Sequence, residues 1–544
     1  MSHLIAPFLK EIMKLLELLS LDPSMSQILS PLLCDTLFWT LERVVKTYFF
    51  PKSDYYERLD ASYGEFSGER GIQYVEHLIQ KTRVNARLWN ADEDALTEML
   101  HLLKALIANA TVSNYSSSSV EFEGLLGELL QGMDTMPSSI HPKIIELIVS
   151  FASSLPSDSS SAYFSKMSSL LQSYFGSLVS NPSFSAVCQQ THVLSKVVNS
   201  LDMFCGMLTA ASDSNSRILY SIILPYFPAF EHLLAVYKEG QVPYFVFRIF
   251  AELGKYLCFS SLSAQEIESI HRVLYSLIEK HKVNVVGKKR KESDEDGDVE
   301  VILELLTSFL HHEVEQVEES ARKSMTVKLE DVVFFGLGSL LPVVQEEIAR
   351  NDALFKKYIE LVTGITMYAS ASLKFASPEF LEGIAKTLLV ALESDVQDIS
   401  SGSYAILSNL FRFALSDPET KVRFVSFSET FLATIFDTLL FKKYNSSEKP
   451  NMLLALLYLL LCSRVHIRNF SIPLTIQDGL EKYVSNLLSH ASQGFHAALV
   501  QIFSELLNFL GEAGQLVQRD EAKVISMFEK VLDDVCVGVK SYLK

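Results

Sequence analysis

Turn formers are scarce in this chain: 22 glycines and 16 prolines in 544 residues, about 7% together against roughly 12% in average usage. Long uninterrupted elements are therefore expected. Cysteine is rare as well. Six in the whole chain, none in a CxxC pair, exclude a disulfide scaffold and predict reduced, buried thiols in a cytosolic or nuclear protein. Long apolar runs are missing too. The longest, Met452 to Cys462, covers eleven residues, where a membrane span needs about 20; a buried core helix and no membrane insertion are expected. The opening MSHLIAPFLKEIMKLLELLS carries Lys10, Glu11 and Lys14 inside its apolar pattern and lacks a small-residue cleavage site, so it does not read as a signal peptide.

What the chain has in quantity is apolar and acidic. Hydrophobic residues make up 48% and charged residues 21%, which excludes general disorder. Lys and Arg number 47 against 65 Asp and Glu, a net charge of −18. Such a surface repels phosphate backbones, so nucleic acid is not an expected partner. The imbalance is concentrated: from Glu292 to Ser320 there are acidic side chains and no Lys or Arg. Just before it stands Lys288-Lys289-Arg290-Lys291. That basic block is a candidate nuclear-import signal, or equally a solvated loop balancing its acidic neighbour. Glu292, Asp294, Glu295, Asp296 and Asp298, followed by Glu313, Glu315, Glu318 and Glu319, form a candidate segment for attracting a basic partner. A tract that only keeps the loop in water is the plain alternative.

The dominant period is helical. Leu4, Phe8, Ile12, Leu15, Leu16 and Leu19 recur at steps of three and four, as do Leu96, Met99, Leu102, Leu103 and Leu106, then Ile144, Ile145, Ile148 and Phe151. Strand alternation and Asn-Gly or Asp-Gly hairpin signals are lacking. Ser-Leu-Asp-Pro at 20–23, Asn-Pro at 181–182 and Ser-Asp-Pro-Glu at 416–419 combine N-cap oxygens with a proline that cannot continue the preceding helix. Ser clusters at 116–119 and 157–161 read as loops. The residues at 51–70, with three tyrosines, read as a polar connector.

About twenty helices in series cannot share one core, because single cores stop growing near roughly 250–300 residues; a solenoid of stacked pairs avoids that limit. Apolar first helices are expected to begin near Phe380, Ser428 and Ile476, a spacing close to the HEAT period. Leu388-Leu389-x-x-Leu392-x-x-Asp395 followed by Ile399, Ala405, Leu407 and Leu410 follows the HEAT order of apolar helix, Asp at the turn and second apolar helix. Asp417 through Val422-Arg423 repeats its Asp…Val-Arg element. The fold class is thus all-α: an α-solenoid (right-handed superhelix) of degenerate HEAT-like antiparallel helix pairs, with no sheet. Its parts are 1–282, a charged, disordered loop at 283–298, and 299–544. Leu453–Leu461 and Ile222–Phe230 are expected to be covered on both sides by neighbouring pairs.

Chemistry-bearing motifs are few. His311-His312-Glu313 does not continue to HExxH and reads as a solvated helix end. Gly336-Leu337-Gly338 lacks a third glycine and a preceding strand and reads as close helix packing. There is no GxSxG and no Walker lysine. Cys188 and His192 stand four apart, but a nucleophile pair needs a third orienting group. No enzyme, cofactor or metal site is expected.

Several stretches carry a resemblance in order along the chain. They are Leu37-Phe38-Trp39-x-Leu41-x-Arg43-x-x-Lys46-Thr47-Tyr48, Leu88-Trp89-x-x-x-Glu93-Asp94 and Leu303-Glu304-Leu305-Leu306-Thr307-x-Phe309-Leu310. Asp331-Val332-Val333-x-x-Gly336-x-x-x-Leu340-Leu341-Pro342 and Phe436-Asp437-x-Leu439-x-x-x-Lys443-x-Asn445 follow. Together they resemble the helical-repeat nuclear transport receptors of the importin-β (karyopherin) superfamily, in an export-receptor branch, over roughly the C-terminal half of such a receptor. The N-terminal repeats that engage Ran in this superfamily have no counterpart, so a truncated gene model, a fragment or a short isoform is expected. The resemblance implies a carrier that shuttles between nucleus and cytoplasm. Its partners would be protein cargo (the hypusine-bearing translation factor and transcription factors among them), Ran-GTP in the complete receptor, and nuclear pore proteins. A scaffold or adaptor binding partners independently of nucleotide state is the alternative.

Overall fold

In the computed structural model, residues 7–12, 14–15, 31–49, 68–116, 119–286, 297–348, 350–442, 444, 447–464 and 521–543 are described, with scattered positions between 483 and 520. They are predominantly helical, and none of them lies in a strand. The chain divides into two units, Met1–Lys280 and His281–Lys544.

The main helices of the first unit are α1 (Pro31–Tyr48), α2 (Gly68–Leu88), α3 (Glu93–Ile107), α4 (Val120–Gly132), α5 (His141–Ser154), α6 (Ser157–Leu171), α7 (Thr191–Thr209), α8 (Ser216–Ile223), α9 (Phe227–Val236), α10 (Gln241–Tyr256) and α11 (Ala264–Val286). The boundary between the units falls inside α11. Helices α1, α3, α5, α7 and α10 pack side by side as one row, and α2 and α4 pack on each other in the second. Local chemistry sets the ends. Asp92 caps α3 by accepting from the Ala95 N–H at 2.9 Å, with Glu93 and Asp94 in the first turn and Lys104 in the last, each charge opposing the helix dipole. Leu96, Met99, Leu102, Leu103 and Leu106 are buried, as are Ile144, Ile145, Ile148 and Phe151. Burial contributes about 1.5–3 kcal/mol for each large side chain. Between α6 and α7, a π-helical turn at Gln172–Gly176 delivers Phe175 to a cluster with Phe204 at 5.4 Å and Phe230 at 5.7 Å. Helices α5 and α7 touch at Gly206, where a Cβ would stand 2.2 Å from the Pro142 carbonyl oxygen.

The second unit contains α12 (Asp298–Gln316), α13 (Leu329–Glu347), α14 (Asp352–Tyr368), α15 (Pro378–Leu392), α16 (Gln397–Ser416), α17 (Pro418–Phe441), α18 (Lys449–Arg464) and α19 (Glu521–Leu543). One row is α12, α14, α16 and α18; α13, α15 and α17 form the other, with α19 against α17 and α18. This is the α-solenoid of HEAT-like pairs that the periodicity predicts. Leu392 ends α15, Asp395 stands in the turn and Gln397 opens α16, the HEAT order. Helix α18 has no polar face: Met452, Leu456, Leu457, Tyr458 and Leu460 are all buried.

Several expectations are corrected. Ser428 lies in the middle of α17, whose start is Pro418, placed by the Ser-Asp-Pro stop; Ile476 is outside the described residues. The serines at 157–161 belong to α6 rather than a loop, because Pro156 starts a helix there and the apolar positions behind it carry it on. Phe8 and Leu15 are exposed, while Leu9 and Ile12 are buried, so the opening stripe is rotated from the one read. Ser216–Val236 does reach the length and hydropathy of a membrane span, by composition alone. Two prolines and the 3₁₀ turn Leu224–Tyr226 break it. Its buried face includes Leu219, Ile223, Phe230 and Leu233, while Leu224 is exposed, so it is covered on one side only.

Candidate functional site

Helices α13 and α15 approach each other where their side chains are small, and beside that contact a cleft of about 730 Å³ opens. A Cβ on Gly383 would meet the Leu341 side chain at 2.3 Å, so the pair is in contact there. Toward the cleft, Gly338 places no side chain in the gap, and Phe334 and Phe380 meet edge to face at 5.6 Å to form its apolar wall. Pro342 sits inside α13. It has no N–H to donate to the Gly338 carbonyl, so the helix is weakened at the cleft. Gln345 Nε2 donates to the Gly383 carbonyl at 3.1 Å and ties the two helices together. Phe375, at the end of the 3₁₀ turn Ser370–Phe375, stands over the cleft 80% exposed. The rim is charged: Glu379, and Lys386 paired with Glu382 at 2.7 Å. This arrangement can bury an aromatic or aliphatic side chain. It holds no base beside a nucleophile.

The residues picked out from the sequence fall elsewhere. Lys288, Lys289, Arg290, Lys291, Glu292, Asp294, Glu295 and Asp296 lie outside the described residues. Asp298 is described, and it is not part of a solvated loop. It opens α12, is buried, and places Oδ2 3.4 Å from Nε2 of the buried His281. A carboxylate in a first helical turn suits the dipole. Glu300 accepts from Asn351 Nδ2 at 2.9 Å, and Glu313 is buried. Among the described residues of the acidic run, Glu315, Glu318 and Glu319 are exposed, with Glu319 paired to Lys323 at 2.6 Å. His311 is exposed and its ring lies 4.9 Å from that of Tyr368, but Glu313 beside it is not solvated. Cys188 is buried and His192 exposed; the Cys188 carbonyl accepts from the Tyr237 hydroxyl at 2.6 Å. Among the described residues no three His, Cys, Asp or Glu side chains gather as a metal site. The α13–α15 cleft was passed over in the sequence. Its signal was the stripe Gly338, Pro342 and Gln345, small or polar on one face of an apolar helix.

An all-α stack of HEAT-like pairs places the chain in the class of α-solenoid helical-repeat proteins. A solved structure of importin-13 in its cytosolic state superposes with a TM-score of 0.50 at 10% identity, over 97% of this chain and 57% of that one. The chain therefore spans a little over half the length of that relative. The family whose model matches is Exportin-4, over residues 11–544. The chain belongs to the Exportin-4 family.

Proposed function

We propose that this protein acts in a nuclear export receptor, carrying protein cargo from nucleus to cytoplasm under control of Ran-GTP. The observation that supports it most is the Exportin-4 match over residues 11–544, on a fold shared with an importin. Ran-GTP acts through linkage: if it raises affinity for cargo, cargo raises affinity for Ran-GTP by the same factor. Cargo would include the hypusine-bearing translation factor and transcription factors, Ran would bind the complete receptor, and nuclear pore proteins would be met in transit. The receptor would shuttle between the two compartments. Helix pairs contacting only their neighbours suit this work, since a solenoid offers extended surface for a folded passenger. The α13–α15 cleft supplies an apolar pocket for a partner's side chain, within a charged rim.

Depleting the protein from cells tests the reading. The nuclear share of the hypusine-bearing factor is expected to rise. An unchanged share, together with partners captured equally from lysate with Ran-GTP or Ran-GDP, would replace export with a nucleotide-independent scaffold.

A further inference from the structure

Ser or Thr precedes only two of the 16 prolines, at Ser30-Pro31 and Ser377-Pro378. Ser30 lies outside the described residues. Ser377 stands between the 3₁₀ turn Ser370–Phe375 and α15, on the rim of the α13–α15 cleft. Ser377, Pro378 and Glu379 are all exposed. The backbone here is extended, with φ −64° and ψ 150° at Ala376 and φ −69° and ψ 151° at Ser377. Pro378 enforces that shape, because its ring clashes with a helical residue before it. The Ser377 hydroxyl oxygen accepts from the Phe380 N–H at 3.2 Å and so keeps its own proton to give up. Ser339 and Ser403, inside helices, spend theirs on the Phe335 and Ile399 carbonyls at 2.8 Å. Ser119 and Ser263 accept at helix starts as Ser377 does, but Val120 and Ala264 follow them, each with a backbone N–H.

We propose that Ser377 is a phosphorylation site for a proline-directed protein kinase. In the transfer, Ser377 Oγ bonds to the γ-phosphorus of ATP and the bond from that phosphorus to the β–γ bridging oxygen breaks. ADP leaves, and the hydroxyl proton passes to a carboxylate base of the kinase. Two features commit the site to this class of enzyme. An exposed acceptor on extended backbone can enter a substrate groove while the body of α15 stays folded. Proline at the next position has no N–H, so a groove that offers no acceptor there takes it without leaving a donor unpaired. Lys374, three residues before, is the one feature that a kinase reading basic side chains would use, and its ammonium lies over the Phe375 ring at 5.1 Å. A phosphate oxygen can accept from the Phe380 N–H as Oγ does, so the modified residue still caps α15. It also brings about −1.5 to −2 charges to a rim that now holds Glu379 and the Lys386–Glu382 pair. The inference stands apart from nuclear export and from what enters the cleft, and its test uses neither Ran nor cargo.

The test incubates the whole folded chain with magnesium, ATP and a purified proline-directed kinase, and locates phosphate by mass spectrometry of the digested product. A synthetic peptide of residues 371–383 serves as the fully accessible standard, and a kinase that reads basic side chains as the control for Lys374. Phosphate is expected on Ser377 of the folded chain. Ser377→Asn, which keeps a capping oxygen, is expected to lose it. Pro378→Ala is expected to slow labelling roughly tenfold, in chain and peptide alike, with the variants' melting temperatures measured alongside. A folded chain left unlabelled while the peptide is labelled, a peptide left unlabelled, an unchanged rate in Pro378→Ala, or faster labelling of Ser377 by the control kinase would each overturn the proposal.

Discussion

Glu128 sits between two guanidinium groups. Arg87 Nε donates to its Oε2 at 2.7 Å and Arg83 Nε to its Oε1 at 2.9 Å, while Arg83 Nη1 reaches Glu121 at 2.6 Å. Hydrogen bonds from Arg87, then from Arg83, hold the carboxyl down at about 2 from an ordinary 4.5. Because the folded value is depressed, the stabilisation is complete above about pH 4.5 and is lost as acid takes the pH toward 2. Melting temperatures across that window should fall more steeply for the wild type than for Glu128→Gln; parallel curves would show that the pair contributes nothing. Leu457, with no exposed surface, is a harsher test. An aspartate there would be a buried charge without a partner, and Leu457→Asp should give insoluble or readily proteolysed protein. A soluble variant with the wild-type urea midpoint would contradict the packing of α18.

At the scale of elements, Gly206 shows what spacing alone does not carry. The apolar period of α7 is legible, but the contact of its glycine with the Pro142 carbonyl is made by a helix distant in sequence. Gly206→Val should force α5 and α7 apart at a cost of about 1–3 kcal/mol, the range for overpacking, read as a lower urea midpoint with an unchanged slope. A midpoint equal to the wild type would mean that α5 and α7 separate freely. The helical class, the turn at Asp395 and the stop at Asp417-Pro418 were legible, because each depends on neighbours in sequence. The start of α17 was displaced because Ser428 begins an apolar run within a helix already under way. The one-sided burial of α8 and α9 was missed because apolar composition cannot say which face a neighbour covers. The α13–α15 cleft escaped for a related reason: an absent side chain at Gly338 acquires meaning only when Phe334 and Phe380 stand around it.

For the whole molecule, charge is the property most open to test. With a net charge of −18, the chain should leave a duplex DNA oligonucleotide unshifted at physiological salt, because no long basic stripe repays the repulsion; a submicromolar shift would reveal a cationic face that outweighs the total. Charge placement is also structural. Arg412 meets Glu521 at 2.9 Å, Tyr458 donates to the same carboxylate, and Lys449 reaches Asp533 at 2.9 Å, so α19 closes over the α16–α18 layer. During synthesis, Leu453 to Cys462 leave the ribosome well before Glu521 is made. Until that closing helix emerges, the nascent chain carries a greasy rod with part of its coat missing. Holdase chaperones or slowed translation would then govern the yield of native protein more than final stability does.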